Sequence, residues 1–431
     1  MPYLVLCLLL VFASTPALPA YPLADGSSLS GDALYKRVRQ YASFGAHRTG
    51  TPSDQQTSEW LRSTLAEAGF SVTTQPFKLE QYFPEDQYIT LENGDQIPTF
   101  PHWFPRSTKA PITAPVAPFG SRSLKGQIAY LAPKNAGEWY ALNPASLAQQ
   151  AKAKGAQALV IAVAHPSDEI YATNAGGDEL VDIPTVMIAA RDAALVSSVM
   201  QAGESIRLTS TGQYQTVTAH NIIARYPAHS IDNAPWIVIS TPSSGWFQCA
   251  GERGTGIALW LGLASHISQL RSQFNWLFVA NSGHELDMLG AALSLSEMPE
   301  AKDVKLWLHL GASIAARDWR RDDTGLVPLD QVHRYNRLYA APTTLLVTQA
   351  AFTGVPNLDI QPSAALNRRH SELGMILEHG YPALGLVGSH HFFHTPADTP
   401  TVTSPELLAP YGQALSNLAR FLNDDQRMVA P

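Results

Sequence analysis

The chain has 431 residues, 45% of them hydrophobic and 15% charged, with a formal net charge of −7. That length supports more than one domain and a large buried core, and an acidic balance without a long basic run excludes nucleic acid as a natural partner. Its 29 glycines and 31 prolines are dispersed, so low-complexity disorder is excluded too.

Residues 3–13, YLVLCLLLVFA, form an apolar block too short to span a bilayer. A run of small residues and prolines follows it, which reads as a signal peptide over 1–20. No Lys or Arg precedes the block, so an uncleaved anchor is the alternative. The expected protein is periplasmic or secreted, with no stable membrane insertion after cleavage. Only Cys249 would remain, so no internal disulfide is expected.

Residues 29–44 and 54–68 have the spacing of amphipathic helices, and 70–77 alternates like a strand. Together 21–105 reads as the first part of the main domain. From 106 to 217 the texture changes, with short strands at 126–131, 158–163 and 183–188 and helices at 144–155 and 191–203. This reads as a smaller inserted domain. The main domain resumes over 218–431. Strands are expected at 219–224, 236–240, 276–280, 305–310 and 382–387. Helices are expected at 257–270, 286–296, 373–379 and 405–423, and 344–350 reads as helical or extended. Strand–helix alternation of this kind predicts an α/β fold with a doubly wound, mostly parallel sheet.

In such sheets ligands sit beyond the carboxyl ends of the strands. Four groups of candidate metal ligands fall there: Glu252, Glu285, His309, and the cluster His390, His391 and His394. Carboxylates and imidazoles suit zinc with a position open for water. Trp246 and Phe247, in the loop before Glu252, either line a substrate pocket or cap the core. Arg253 either binds a substrate carboxylate or pairs with Glu252. Cys249 reads as an inert packed thiol. Arg368, Arg369, His370 and Glu372 read as a solvated loop before a helix, with lining of the cleft as the alternative, and His390 and His391 read as polar loop residues. Asp398 either orients His394 or caps the turn at Pro400.

The order of the motifs resembles the M28 zinc aminopeptidases and their relatives the glutaminyl cyclases, over nearly the whole mature chain. GAHRTGTPSDQQTSEWLRSTLAEAGF is similar to the family's opening helix pair, and residues from about 110 to 215 resemble a protease-associated insert. CAGERGTGIALWLGLA resembles the Asp-Asn-Gly-Ser-Gly helix start, NSGHELDMLGA the Glu-Glu-x-Gly-Leu-Leu-Gly turn, and FFHTPADT the terminal His-Thr-x-x-Asp-Thr.

The resemblance implies a metal-dependent hydrolase acting on peptide or amide bonds. It places Glu252 at the bridging Asp, Glu285 at the Glu ligand and His394 at the final His, enough for one zinc. The family's second zinc also needs a His on the strand before Glu252, and none occurs from 236 to 251; it needs an Asp where His309 stands. At most one zinc per chain is therefore expected. His284 stands where the family has its general base.

Three readings stay open. A single zinc sits on Glu252, Glu285 and His394, with His284 as base. Or His309, with His284 or His391, rebuilds a different cage. Or the metal is gone, a cation such as Arg253 balances Glu252 and Glu285, and the fold survives as a non-catalytic peptide-binding module.

Overall fold

A computed structural model describes residues 23–24, 26–132, 136–174, 180–229, 231–367 and 371–424. The expected signal peptide, and Arg368, Arg369 and His370, lie outside the described residues.

Three apolar strands, Trp236–Pro242, Asn275–Asn281 and Val304–Leu310, form the centre. They run parallel with Trp236–Pro242 in the middle, and Ala383–Gly388 adds in parallel beyond Val304–Leu310. Nearly every residue in them is buried, because both faces are covered. On one face Gly31–Ser43, Thr255–Ile267 and Pro405–Asp424 pack around Leu34, Ile239, Trp260, Phe278 and Leu415. On the other, Glu372–Glu378 sets Leu373 and Ile376 against Val238, Leu277 and Trp307. The expected α/β fold with a mostly parallel sheet is the observed one. Parallel strands end on one edge, so Pro242, Asn281, Leu310 and Gly388 open onto a shared rim.

Two long antiparallel strands, Ser71–Thr90 and Ser205–Tyr226, leave the sheet as a ribbon. Ile112–Pro118 pairs with the far end of the ribbon, and Ile128–Leu131, Ala158–Val163 and Thr185–Ala189 follow in parallel order. The smaller region thus has its own sheet and cores. The expected boundary at 217 falls within one continuous strand. Residues 205–216 were hard to read as strand because Arg207 and the run from Gln213 to Thr216 face solvent or nearly so.

Two further differences matter. The helix expected from 286 starts only at Leu289, because Asp287 and Met288 both adopt left-handed backbone, at φ 55° and 62°. The hairpin Arg317–Asp322 with Gly325–Val332 is not apparent in the sequence: its charged residues show no clean alternation and its strands are only partly buried. Among the described residues no helix is long and apolar enough to cross a membrane.

Candidate active site

Strand Trp236–Pro242 runs into the loop that carries Ser243 to Cys249. Cys249 takes a left-handed conformation at φ 47°, and a π-helical turn, Ala250–Gly254, leads into helix Thr255–Ile267. Such turns place a side chain off the regular helical stripe. Asp398 holds this one in place, accepting from Gly251 N at 2.7 Å and Glu252 N at 3.0 Å. A Cβ on residue 251 would meet Val402 Cγ2 at 2.5 Å, so the close approach of the two loops requires glycine. Asp398 therefore acts on the backbone that presents Glu252, a role other than the expected ones of orienting His394 or capping the turn at Pro400.

That turn aims Glu252 and Arg253 inward, and both are fully buried. Arg253 Nη2 lies 2.8 Å from Glu252 Oε1 and 3.2 Å from Glu285 Oε1. One nitrogen of this chain thus occupies the space between the two carboxylates. Arg253 Nε donates to Ser244 O at 2.8 Å, which fixes the guanidinium plane. Ser244 Oγ donates to Glu285 Oε2 at 2.8 Å and accepts from Gly283 N at 2.8 Å. The charges set each other. Burial alone would raise the Glu252 pKa, but Arg253, followed by His394, outweighs it and holds that carboxyl well below the usual range. Burial would likewise lower the Arg253 pKa, and Glu252 and Glu285 outweigh that and raise it.

His394 approaches the same oxygen of Glu252, with Nε2 at 3.0 Å from Oε1. Its Nδ1 faces Ala172 O at 2.9 Å, and Ala172 N donates to His394 O at 3.0 Å. A loop of the smaller region thus lies directly over the site. Trp246 is buried in the same roof, donating Nε1–H to Asn174 Oδ1 at 3.0 Å and packing edge-on against Trp103. Phe247 packs against Phe100 and is partly buried.

A second charged group adjoins the first. His284, partly exposed, contacts Glu372 Oε1 through Nδ1 at 2.9 Å. Glu372 is buried, not a solvated loop residue; burial pushes its pKa up, but the bond to His284 together with the nearby charges of His284, His309 and Arg253 lowers it. Its place was hidden in the sequence by the charged run just before it; the signal was Ser371, which caps the helix. His309 is buried beside the same carboxylate, with Nδ1 3.0 Å from Ser240 Oγ and 4.0 Å from Glu372 Oε2. Burial depresses its pKa to about 4, so it is neutral at pH 7. His390 is buried as well, with Nε2 3.5 Å from Asp398 Oδ2.

Arg253 thus touches Glu252 and Glu285, and His394 touches Glu252. Glu252, Glu285 and His394 do not bring ligand atoms within 4.8 Å of one another as a trio. Among the described residues the groups that do are Cys249–Glu252–Asp398 and Asp318–His333–His391. The site does not fit zinc as it stands. A second cation about 4 Å from the guanidinium would be repelled by roughly 4 kcal/mol per unit charge at an effective dielectric near 20.

No protein-family model matches the chain, and no curated protein matches it by sequence. Solved structures do match. A zinc aminopeptidase from Bacillus subtilis is similar with a TM-score of 0.72 at 17% identity, covering 93% of this chain and 96% of that one. A peptidase M28 precursor from Shewanella amazonensis matches at 0.69 and 18% identity, covering 93% and 99%. An aminopeptidase from Aneurinibacillus sp. strain AM-1 matches at 0.63 and 17% identity, covering 92% and 94%. The fold is that of the zinc aminopeptidases.

Proposed function

We propose that this chain is a peptide-binding protein built on the aminopeptidase fold, in which Arg253 supplies the positive charge between Glu252 and Glu285. The observation that carries this reading is the buried Nη2 within 3.2 Å of both carboxylates. Zinc-dependent hydrolysis needs an ion with an open coordination position. A guanidinium has no vacant orbital and cannot polarise a carbonyl in that way.

The same centre favours a cationic ligand. Glu252, Glu285, Glu372 and Asp398 are all buried, and the buried guanidiniums acting on Glu252 and Glu285 are Arg253 and, on Glu285, Arg48, so carboxylates outnumber them. A free amino terminus of a peptide matches that surplus of carboxylate. His284 is the member nearest solvent, with Glu372 buried behind it, and the loop at Ala172 would have to move for a ligand to pass further in. His284 is then a polar contact at the mouth of the site.

One observation favours a second reading, a mononuclear zinc hydrolase. With Nδ1–H given to Ala172, His394 Nε2 and Glu252 Oε1 face each other at 3.0 Å as two acceptors. Neither atom has a hydrogen-bond partner, and besides Arg253 Nη2 at 2.8 Å from Oε1 the pair calls for a cation of its own, either a proton or a metal.

The test is calorimetry with short peptides bearing free or acetylated amino termini, run beside a turnover screen of aminoacyl anilides and dipeptides. The binding reading expects uptake of free-amino peptides only, with no turnover. Turnover abolished by a chelator, together with zinc lost on His394→Ala, would replace it with the hydrolase.

A further inference from the structure

Asp318, His333 and His391 lie outside the site described above. Asp318 is on the partly buried hairpin, His333 follows it directly, and His391 is on the loop after strand Ala383–Gly388. Asp318 Oδ1 is 3.7 Å from His391 Nδ1 and 3.9 Å from His333 Nε2, and all three donor atoms lie within 4.8 Å of one another. The two imidazole rings meet edge to face at 5.4 Å. His391 Nδ1 is buried and has no hydrogen-bond partner. The three side chains keep some exposure, between 13% and 21%, so the cluster is held by protein on one side and reachable by water on the other.

We infer that Asp318, His333 and His391 form a binding site for a divalent transition-metal ion. Two imidazoles and one carboxylate with open positions suit zinc, cobalt, nickel or ferrous iron, and suit calcium or magnesium poorly. A metal about 2 Å from each donor would set neighbouring donors roughly 3.3 Å apart. The two separations from Asp318 therefore need to close by about half an ångström, and the imidazole pair, within 4.8 Å, by at most about 1.5 Å.

The surroundings hold the three residues in place. Trp319 stacks edge-on against Phe392 at 4.9 Å, which pins the hairpin to the loop carrying His391. Arg321 ties the hairpin to the smaller region through Asp168 at 2.7 Å and Pro166 O at 2.8 Å. A metal here would join the hairpin to the loop that also carries His394.

Two features limit the affinity. Tyr335 N donates to His333 Nδ1 at 3.2 Å, so the ring must move its hydrogen to Nδ1 and lose that contact when a metal takes Nε2. Arg334 adds positive charge close to both imidazoles. Binding in the micromolar range, not tighter, is the expectation.

The experiment titrates the metal-stripped full chain with cobalt(II) and zinc(II) salts, reading the visible cobalt spectrum and the bound metal after equilibrium dialysis. The expected result is one ion per chain with imidazole-type cobalt bands. His391→Ala, His333→Ala and Asp318→Asn should each weaken binding by about a hundredfold, while His394→Ala leaves it unchanged. Absence of binding at tens of micromolar metal would overturn the site. So would binding unaffected by all three substitutions, or binding abolished by His394→Ala in its place. Circular dichroism of each variant separates loss of the site from loss of the fold. The result is independent of whether the chain binds peptides.

Discussion

The Glu252–Arg253–Glu285 centre and the Asp318–His333–His391 cluster use similar side chains in opposite ways. In the first, the carboxylates are fully buried and a guanidinium of the same chain already lies between them. In the second, a carboxylate and two imidazoles stand close but short of hydrogen bonding, with water in reach. Ligand-type residues alone therefore do not define a metal site. What decides is whether a fixed cation already balances them, and whether water can reach them.

The sharpest way to break this contrast is to remove the fixed cation. Arg253→Met keeps the volume and deletes the charge, leaving Glu252 with His394 and Glu285 with Ser244 but neither with the guanidinium. Urea denaturation should show a loss of roughly 3–5 kcal/mol, the scale for breaking one side of a buried ion pair. A loss under about 1 kcal/mol would mean that the pairing carries little weight.

Next is the carboxylate that presents Glu252. Asp398→Ala removes two hydrogen bonds from backbone N–H groups to a charged acceptor, and about 2–3 kcal/mol should go with them. Asp398→Asn keeps one acceptor oxygen and should recover part of that loss.

A third effect is read as a slope against pH. Glu252 and Glu372 are lowered in the folded chain, so their stabilisation is present above the usual carboxylate range. It is lost as pH falls through and below that range. Asp54 runs the other way. Burial, offset by bonds from Gly50 N and Ser282, raises its pKa from 3.8 to about 7. The folded chain then holds an extra proton between those values, and stability falls as pH rises through that window. Asp54→Asn should flatten the slope between pH 4 and 7 and leave the acid limb unchanged. Denaturation midpoints across a pH series measure both.

The smallest effect belongs to the other region. Without metal, His391→Ala should change stability by no more than about 0.5 kcal/mol, as for a partly exposed residue outside any network. A larger loss would place the histidine cluster in the fold's support and not only in a ligand site.

The sheet was legible because strands covered on both faces lose polar alternation, as in Trp236–Pro242 and Asn275–Asn281. The rim residues were legible for a related reason: Glu252, Glu285 and His394 follow apolar runs that break abruptly, and His309 stands near the end of one. What stayed hidden depends on contacts between distant segments. Nothing local distinguishes a buried Glu372 from the charged residues before it until His284 is brought to 2.9 Å. Nothing local places Asp398 on the backbone of Gly251 and Glu252. Arg253 was legible as one of two options, pairing with acid or binding substrate. The choice needed the loop of Ser244 that orients its guanidinium. The hairpin carrying Asp318 is not apparent in the sequence because partly exposed antiparallel strands of charged residues carry no hydrophobic period.

The most direct test of the central claim is zinc content by elemental analysis in a His391→Ala background, which removes the second site. Arg253 and Arg253→Asn chains are compared after dialysis against zinc and then buffer. Removing the guanidinium frees the space between Glu252, Glu285 and His394. The account predicts that the chain with Arg253 keeps no zinc and that Arg253→Asn takes up close to one ion per chain, lost again on adding His394→Ala. A full equivalent of zinc retained beside Arg253 and released by His394→Ala would contradict it.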